Sequence, residues 1–396
     1  MKNLLLLFAS FITLNLPAQQ LYYLSDIPAN PNFGVALQDT HLYVIKAFSV
    51  SSFNISQPAT PVYLSTASPT YWPFSLYTDG NYLYCGGGMS GQLTVIDLSQ
   101  PNLLNMVFQD PSVTGTVYQF TKSAQHLYFT TNQDSLIVAD ISNPALPVIA
   151  SRIFLNSGFS EGAAAVGNRL FLGTNGGLRA YDISNPSTPA LITTYPGSFR
   201  TIYYNALQQQ LYALTNVGTV SVYNAGNINA LTLAYTFPAN ATKLSIVNNR
   251  IAALQGGSVE LFEAGSTAAT SLATYTTPPP NGQHVDIAMQ DSIIAYTTGS
   301  STYILKYGVV NPVSLNENSS NFIQIIYHQQ SNEITFLYPT DTQKMISRIE
   351  FYTANGQLTD VYENVIENKI KLTKQPVLYK LYTSDGLIHQ GKLRIN

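Results

Sequence analysis

Hydrophobic and polar positions follow each other along most of the chain in short runs of four to seven residues, separated by Gly, Asn, Asp, Ser and Pro. Residues 162–195 are typical, with the runs GAAAV, RLFLG, LRAYDI and PALITTY. Runs of this length that are rich in β-branched and aromatic residues predict β-strands joined by hairpins. No segment shows the sustained helical period of an amphipathic helix. We therefore predict an all-β fold.

A polar turn followed by an apolar residue recurs at spacings of 40 to 44 residues. The aligned apolar positions are Leu42, Leu83, Leu127, Leu170, Leu211, Ile251 and Ile293. Four short strands in a repeat of about 40 residues are typical of a propeller blade. Seven copies predict a seven-bladed β-propeller with four-stranded antiparallel blades over residues 19–315. Residues 21–25 resemble the outer strand that the seventh copy lacks, so we expect them to pair with residues 303–307.

The pentapeptide Asp-Ile-Ser-Asn-Pro occurs at 140–144 and again at 182–186, between the third and the outermost strand of its repeat. An Asp side chain accepts a hydrogen bond from the backbone two residues on, and Asn before Pro favours a turn. We therefore interpret the pentapeptide as a turn-forming sequence. A metal site is the weaker alternative, because Asp97, Asp140 and Asp182 belong to separate blades and cannot converge on one ion.

Three segments carry a resemblance to a known family: LTVIDLSQP at 93–101, LIVADISNPALPV at 136–148 and LRAYDISNPSTPA at 178–190. They resemble LVIVP repeats, which occur in bacterial secreted and surface proteins that form β-propellers. The resemblance implies the fold and an extracellular setting. It implies no particular reaction.

The first 18 residues have the pattern of a secretory signal peptide, with Lys2 before an apolar core and small residues near Ala18. No later stretch reaches the roughly 20 apolar residues of a transmembrane helix, so we predict no transmembrane segment. The one cysteine, Cys85, excludes an intrachain disulfide. The predicted location is secreted or on the outer cell surface, reached through the periplasm.

Residues 316–396 are predicted to form a separate small Ig-like β-sandwich, with hairpins at Asn355-Gly356 and Asp385-Gly386. This tail resembles the C-terminal sorting domain of the type IX secretion system of Bacteroidetes. The motif residues that carry the resemblance are Asn355, Gly356, Gln357, Tyr379, Gly391 and Lys392. The resemblance implies that the type IX secretion machinery is a partner. An ordinary accessory domain is the alternative.

The low charge and the absence of several well-known motifs exclude some classes of function. Charged residues make up 10% of the chain and the net charge is −3, so nucleic acid, which needs a basic face, is not an expected partner. The sequence has no P-loop, zinc-protease, nucleophile-elbow or dinucleotide fingerprint. We predict no cofactor, no metal and no assigned catalytic residue.

Propellers collect ligands where their innermost strands begin, at the mouth of the central channel. The candidate ligand-binding residues at these positions are Phe33, Tyr71, Trp72, Phe74, Tyr118, Glu161, Phe199, Arg200, Lys243 and His284. Aromatic rings with a few polar groups favour binding of an extracellular glycan or peptide. One alternative is a hydrolase or lyase that uses Glu161, Arg200 and His284, although a single acidic residue argues against paired-carboxylate chemistry. The other is a purely structural or adhesive surface protein.

Overall fold

In the computed structural model, the part of the chain that is described has no helix and is built from β-strands and turns. The described residues are 19–28, 32–88, 91–133, 135–156, 160–277, 284–309, 324–328, 333–337, 346–353, 357–365, 369–372, 378–383, 388–392 and 394–395. The described residues therefore include no helix with the length and apolar character of a membrane span. Residues 1–18, predicted to be a signal peptide, lie outside them. One compact unit is Gln19–Gly308, and Val309–Asn396 falls in a second.

Gln19–Gly308 contains seven four-stranded sheets, which are the predicted seven blades. In blades 1 to 6 the four strands follow each other in sequence from the innermost to the outermost. Blade 1 holds β2 (Asn32–Gln38), β3 (His41–Lys46), β4 (Ser49–Asn54) and β5 (Val62–Ala67); blade 2 holds β6 (Pro73–Asp79), β7 (Tyr82–Gly87), β8 (Leu93–Asp97) and β9 (Asn105–Asp110). Blade 3 holds β10 (Val117–Ser123), β11 (His126–Thr131), β12 (Ser135–Asp140) and β13 (Val148–Phe154); blade 4 holds β14 (Ser160–Val166), β15 (Arg169–Thr174), β16 (Gly177–Asp182) and β17 (Ala190–Tyr195). Blade 5 holds β18 (Phe199–Asn205), β19 (Gln210–Thr215), β20 (Thr219–Asn224) and β21 (Thr232–Pro238); blade 6 holds β22 (Lys243–Val247), β23 (Arg250–Leu254), β24 (Ser258–Ala264) and β25 (Ala269–Thr276). Blade 7 holds β26 (His284–Gln290), β27 (Ile293–Thr298), β28 (Ser301–Val309) and, as its outermost strand, β1 (Gln19–Pro28).

The N-terminal strand closes the ring, as the sequence predicts. β1 pairs with β28 and completes blade 7. Its two faces reach both neighbouring blades: Leu21 packs in the core shared with blade 6, and Ile27 packs in the core shared with blade 1. The Ser25 hydroxyl also donates a 2.6 Å hydrogen bond to the Pro58 carbonyl in blade 1. The two ends of the propeller are therefore joined within one sheet.

The hydrophobic core lies between the blades. The second strand of each blade supplies residues with no exposed surface, among them Leu42, Leu83 and Leu127. In blade 7 the sequence alignment is wrong by one residue. Ile294, rather than Ile293, is the fully buried counterpart, because Ile293 occupies the hairpin pair opposite Gln290 and a shift of one residue turns a side chain to the other face.

The repeated pentapeptide forms the turn that the sequence predicts. The side chains of Asp97, Asp140 and Asp182 each accept a 2.8 Å hydrogen bond from the backbone N–H two residues on. Hydrogen bonds from the backbone and side chain of Ser142 lower the pKa of the Asp140 carboxyl, and those from the side chain and backbone of Ser184 lower the pKa of the Asp182 carboxyl. The Ile that follows is buried, as Ile141 and Ile183 show. The pentapeptide therefore forms a turn and also places an isoleucine side chain in the hydrophobic core.

The second unit has two four-stranded sheets. The first has the order β33 (Lys369–Lys371), β30 (Glu333–Leu337), β29 (Gln324–His328) and β36 (Arg394–Ile395); the second has the order β32 (Leu358–Val365), β31 (Ile346–Tyr352), β34 (Leu378–Thr383) and β35 (Ile388–Lys392). The strands on either side of each predicted hairpin pair antiparallel, although both turns lie outside the described residues. The unit is not wholly antiparallel, since β36 runs parallel to β29. A parallel partner is possible there because the two strands are far apart in sequence.

Candidate functional site

A β-bulge recurs at the start of the innermost strands. The pairing with the second strand shifts register at this point in every blade except blade 6. Counting back from the regular pairs, the extra residues are Phe33, Phe74, Tyr118, Glu161, Arg200 and Val285. A bulge bends the strand and re-aims the side chain of the extra residue. Five of the predicted mouth residues thus share one structural position in five successive blades.

Aromatic rings from blades 1 to 3 form a continuous contact series, here called the aromatic arc: Phe48, Trp72, Phe33, Phe74 and Tyr118. The ring centroids lie 5.4 Å apart for Phe48 and Trp72, 4.9 Å for Trp72 and Phe33, 6.1 Å for Phe33 and Phe74, and 5.7 Å for Phe74 and Tyr118. These separations are those of favourable aromatic pairs. The arc therefore holds its rings in place before any ligand arrives.

Phe48 was not predicted, yet it is the outermost ring of the arc and is 62% exposed. It lies in the hairpin between β3 and β4, where the fourth copy, for example, has only polar residues and glycine, in the 174–177 turn TNGG. An apolar residue in that turn was a signal the sequence analysis did not use. Tyr71 is 40% exposed in the loop before β6.

An ion pair continues the mouth beyond the arc. The Arg200 guanidinium donates to both carboxylate oxygens of Glu161, from Nε at 3.0 Å and from an Nη nitrogen at 3.1 Å. Glu161 is 5% exposed, and the hydrogen bond to it raises the pKa of Arg200. Burial raises the pKa of the Tyr118 phenol, and the nearby Glu161 charge adds to that rise. The arc and the ion pair are therefore neighbours around the mouth.

Below the mouth, the seven innermost strands line a central channel of about 400 Å³. Tyr118 belongs both to the aromatic arc and to the channel wall. Polar residues from five blades lie in the channel wall at the start of the regular pairing between the first and second strands, here called the polar row: Ser75, Gln119, Thr201, Lys243 and Asp286. In every blade of this row except blade 6 the position is one residue beyond the bulge. Lys243 therefore lies in the channel wall, one position deeper than the sequence analysis placed it.

Asp286 adds an acidic group in the channel wall, below the mouth, where Glu161 is the one predicted acidic residue. Its carboxylate accepts a 3.1 Å hydrogen bond from the Val35 N–H of blade 1. Burial in the channel raises the pKa of the carboxyl, while the Lys243 charge and the backbone N–H groups of Val35 and Ile287 oppose that rise. Asp286 also adds to the rise in the pKa of the Tyr203 phenol, which is caused chiefly by burial.

Of the other predicted residues, Phe199 is placed differently, and His284 lies at the start of an innermost strand as predicted. Phe199 is 4% exposed and packs in the core between blades 4 and 5 with Ala164 and Phe171, because it precedes the bulged Arg200 and adjacent residues of a strand face opposite ways. His284 begins β26, opposite Thr298, and its side chain lies outside the described residues. Among the described residues, no three His, Cys, Asp or Glu side chains are grouped as metal ligands would be. The absence of a cofactor stays a prediction.

We expect Asp286→Asn to stabilise the propeller at pH 7. Because the folded-state pKa of Asp286 is raised, the folded protein binds more protons than the unfolded chain between about pH 3.9 and that raised pKa. The free energy of unfolding therefore falls as pH rises through this window, and above it the charged carboxylate is a net cost. The neutral amide would remove that cost. Melting temperatures from pH 3.5 to 8 test this: the gain should be largest at neutral pH and disappear below the ordinary carboxyl range.

Asp182→Asn is the control of opposite sign, since the pKa of Asp182 is lowered and its stabilising charge is present above the ordinary pKa and lost in acid. A lower melting temperature for Asp286→Asn at pH 7 would instead show that the Lys243–Asp286 attraction outweighs the burial of the carboxylate.

Three of the C-terminal motif residues, Tyr379, Gly391 and Lys392, lie in one sheet. Tyr379 is buried in β34 and pairs opposite Gly391 of β35, and Leu378 pairs opposite Lys392. Gln357 closes the β31–β32 connection, where its carbonyl accepts a 2.9 Å bond from the Thr353 N–H. Asn355 and Gly356 lie outside the described residues.

Comparisons with known proteins agree with this architecture. Residues 75–109, 123–153 and 157–196 match the model of the LVIVD repeat; the matched family is LVIVD, rather than the LVIVP repeat named from the sequence. No curated protein matches the chain.

Two solved structures share the fold. The β-propeller domain of Cps50 (Swd1) from Myceliophteria thermophila is 14% identical, with a TM-score of 0.59 over 72% of this chain and 99% of that one. A chain of the Mitotic Checkpoint Complex is 13% identical, with a TM-score of 0.54 over 77% of this chain and 98% of that one. Repeats, blades and neighbours agree that this chain is a β-propeller repeat protein.

Proposed function

We propose that the protein is an exported binding module whose propeller holds an extracellular glycan or peptide at the channel mouth. The observation that carries this proposal is the aromatic arc, which leads from the exposed Phe48 to Tyr118 in the channel wall. Rings fixed by contact with each other lose little freedom on binding, which favours affinity. The buried indole N–H of Trp72 has no acceptor among the described residues, so the ring is not held in place by a hydrogen bond of its own.

The geometry supports binding over the two alternatives. Catalysis by Glu161 requires a free carboxylate, and both Glu161 oxygens accept from Arg200. A purely structural propeller requires no open site, and here all seven innermost strands line a channel of about 400 Å³, a volume in the usual range of ligand sites.

We expect Phe48→Ala to weaken binding about thirtyfold, which corresponds to about 2 kcal/mol for a hot-spot ring. Residues 19–315 are first screened on glycan and peptide arrays, and the affinity for each hit is then measured by calorimetry. Phe154→Ala is the matched control, since Phe154 is a comparably exposed phenylalanine, at 70%, on the outermost strand of blade 3. Equal affinities of the two variants, or no hit on either array, would contradict the proposal.

Export is proposed from the predicted N-terminal signal peptide and from the resemblance of the tail to type IX sorting domains. A chain that ends at residue 315 is then expected to cross the inner membrane and accumulate in the periplasm of a type IX-competent host, while the full chain reaches the outer surface or the medium. Immunoblots of the cell fractions measure this. Surface display of the shortened chain would leave the tail as an accessory domain.

A further inference from the structure

The candidate site extends from the mouth into the channel without a break. Tyr118 contributes to both, with its ring against Phe74 and its backbone in the innermost strand of blade 3. Beyond it, the polar row places the amide of Gln119, the ammonium of Lys243 and the carboxyl of Asp286 in the channel wall, while the Ser75 hydroxyl donates a 2.8 Å hydrogen bond to the Val117 carbonyl and Thr201 is buried. A ligand that lay only across the mouth would leave this row unused.

The charged groups of the site come as one cation for each carboxylate. Arg200 forms an ion pair with Glu161, and the channel wall contains one lysine, Lys243, and one aspartate, Asp286. The end of a peptide would bring an additional ammonium or carboxylate into this balanced set, and a buried charge without a partner is strongly disfavoured. The charge balance therefore favours a neutral ligand.

Gln119 gives the channel a hydrogen-bond acceptor. Its Nε2 donates a 2.9 Å bond to the Ile202 carbonyl of blade 5, which fixes the orientation of the amide because only the nitrogen can donate. The Oε1 atom is buried and has no donor among the described residues. Buried polar atoms normally have a partner, and a ligand hydroxyl would supply one.

Building on the proposed function, we propose that the ligand is a neutral oligosaccharide that binds end-on. A terminal sugar enters the channel and uses its hydroxyls against Gln119, Lys243 and Asp286. The sugars that follow stack on the aromatic arc, where the apolar faces of sugar rings meet aromatic faces. The site thus binds the end of a glycan chain rather than an internal segment.

The test is calorimetry of residues 19–315 with cello-, malto-, laminari- and xylohexaose, each free and blocked at the reducing end, the non-reducing end or both. At least one free hexasaccharide is expected to bind, and blocking the end that enters the channel is expected to weaken binding at least tenfold. Equal affinities for the free and the doubly blocked forms would overturn end-on binding. If Phe48→Ala still weakened binding, the proposed function would stand.

Gln119→Met tests the channel itself, with Gln38→Met as its control. Gln38 also donates from Nε2 to a carbonyl of another blade, at 2.7 Å to Gly80 of blade 2, and its Oε1 also lacks a donor among the described residues, but it is not a channel-wall residue. Gln119→Met should weaken binding of the free hexasaccharide about tenfold, and Gln38→Met should leave it unchanged. Equal effects of the two variants would overturn the channel contact. Array binding to peptides alone would overturn the ligand class, and no binding to any probe would overturn the proposed function as well.

Discussion

A chain that lacks residues 19–28 is expected to lose most of its propeller stability. β1 buries Leu21 and Ile27 almost completely, and burial of two such side chains together with the partly buried Leu24 contributes roughly 5 kcal/mol. Domains of this kind have a total unfolding free energy of about 5–15 kcal/mol. The loss also leaves β28 as an unpaired edge. Urea unfolding followed by circular dichroism measures the effect.

Addition of a peptide with the sequence of residues 19–28 is the control for this deletion. If the loss reflects an open blade 7, the peptide should bind to the shortened chain and restore part of the unfolding midpoint. The interpretation is contradicted if the shortened chain unfolds at the same urea concentration as the full propeller, because the ring would then be closed by contacts between the first and last blades alone.

Gly162→Ala is expected to destabilise the propeller by about 3 kcal/mol, the upper part of the usual range for overpacking. A Cβ at Gly162 would lie 2.4 Å from the Thr201 Cα, 2.5 Å from the Arg200 carbonyl oxygen and 2.7 Å from the Ile202 nitrogen. All three are backbone atoms of blade 5, so no side chain can rotate away and the two blades have to separate. Because Glu161 and Arg200 lie at this contact, the variant should also weaken ligand binding.

Gly256→Ala is the matched control, since a Cβ there meets no atom within 4 Å, and an exposed substitution of this kind changes stability by no more than about 0.5 kcal/mol. A small effect at Gly162 as well would mean that blades 4 and 5 are less closely packed than these distances indicate. Both variants are compared by urea unfolding and by calorimetry with an array-selected ligand.

The structure of the repeated parts of the molecule could be predicted from the sequence alone. Strand number, blade number and the Asp-Ile-Ser-Asn-Pro turns follow from local rules, because a hairpin or an Asp-capped turn is made by residues within a few positions of each other. The closure of blade 7 could also be predicted from the sequence, because residues 21–25 have the pattern of an outer strand and the seventh copy lacks one. In the structure β1 is that strand.

Which residues form the candidate site became clear only from their contacts in the folded protein. Phe33, Trp72, Phe74 and Tyr118 come from three successive blades, and their contacts exist only once these blades pack against each other. In every blade except blade 6 the bulge inserts one residue at the start of the innermost strand. Because side chains alternate between the two faces of a strand, one extra residue changes which side chain faces the mouth and which faces the core. This is why Phe199 lies in the core while Arg200 lies at the mouth, and why Asp286, one residue past the extra Val285, lies in the channel wall. Local propensity contains no information about either event, since both depend on how neighbouring blades pack.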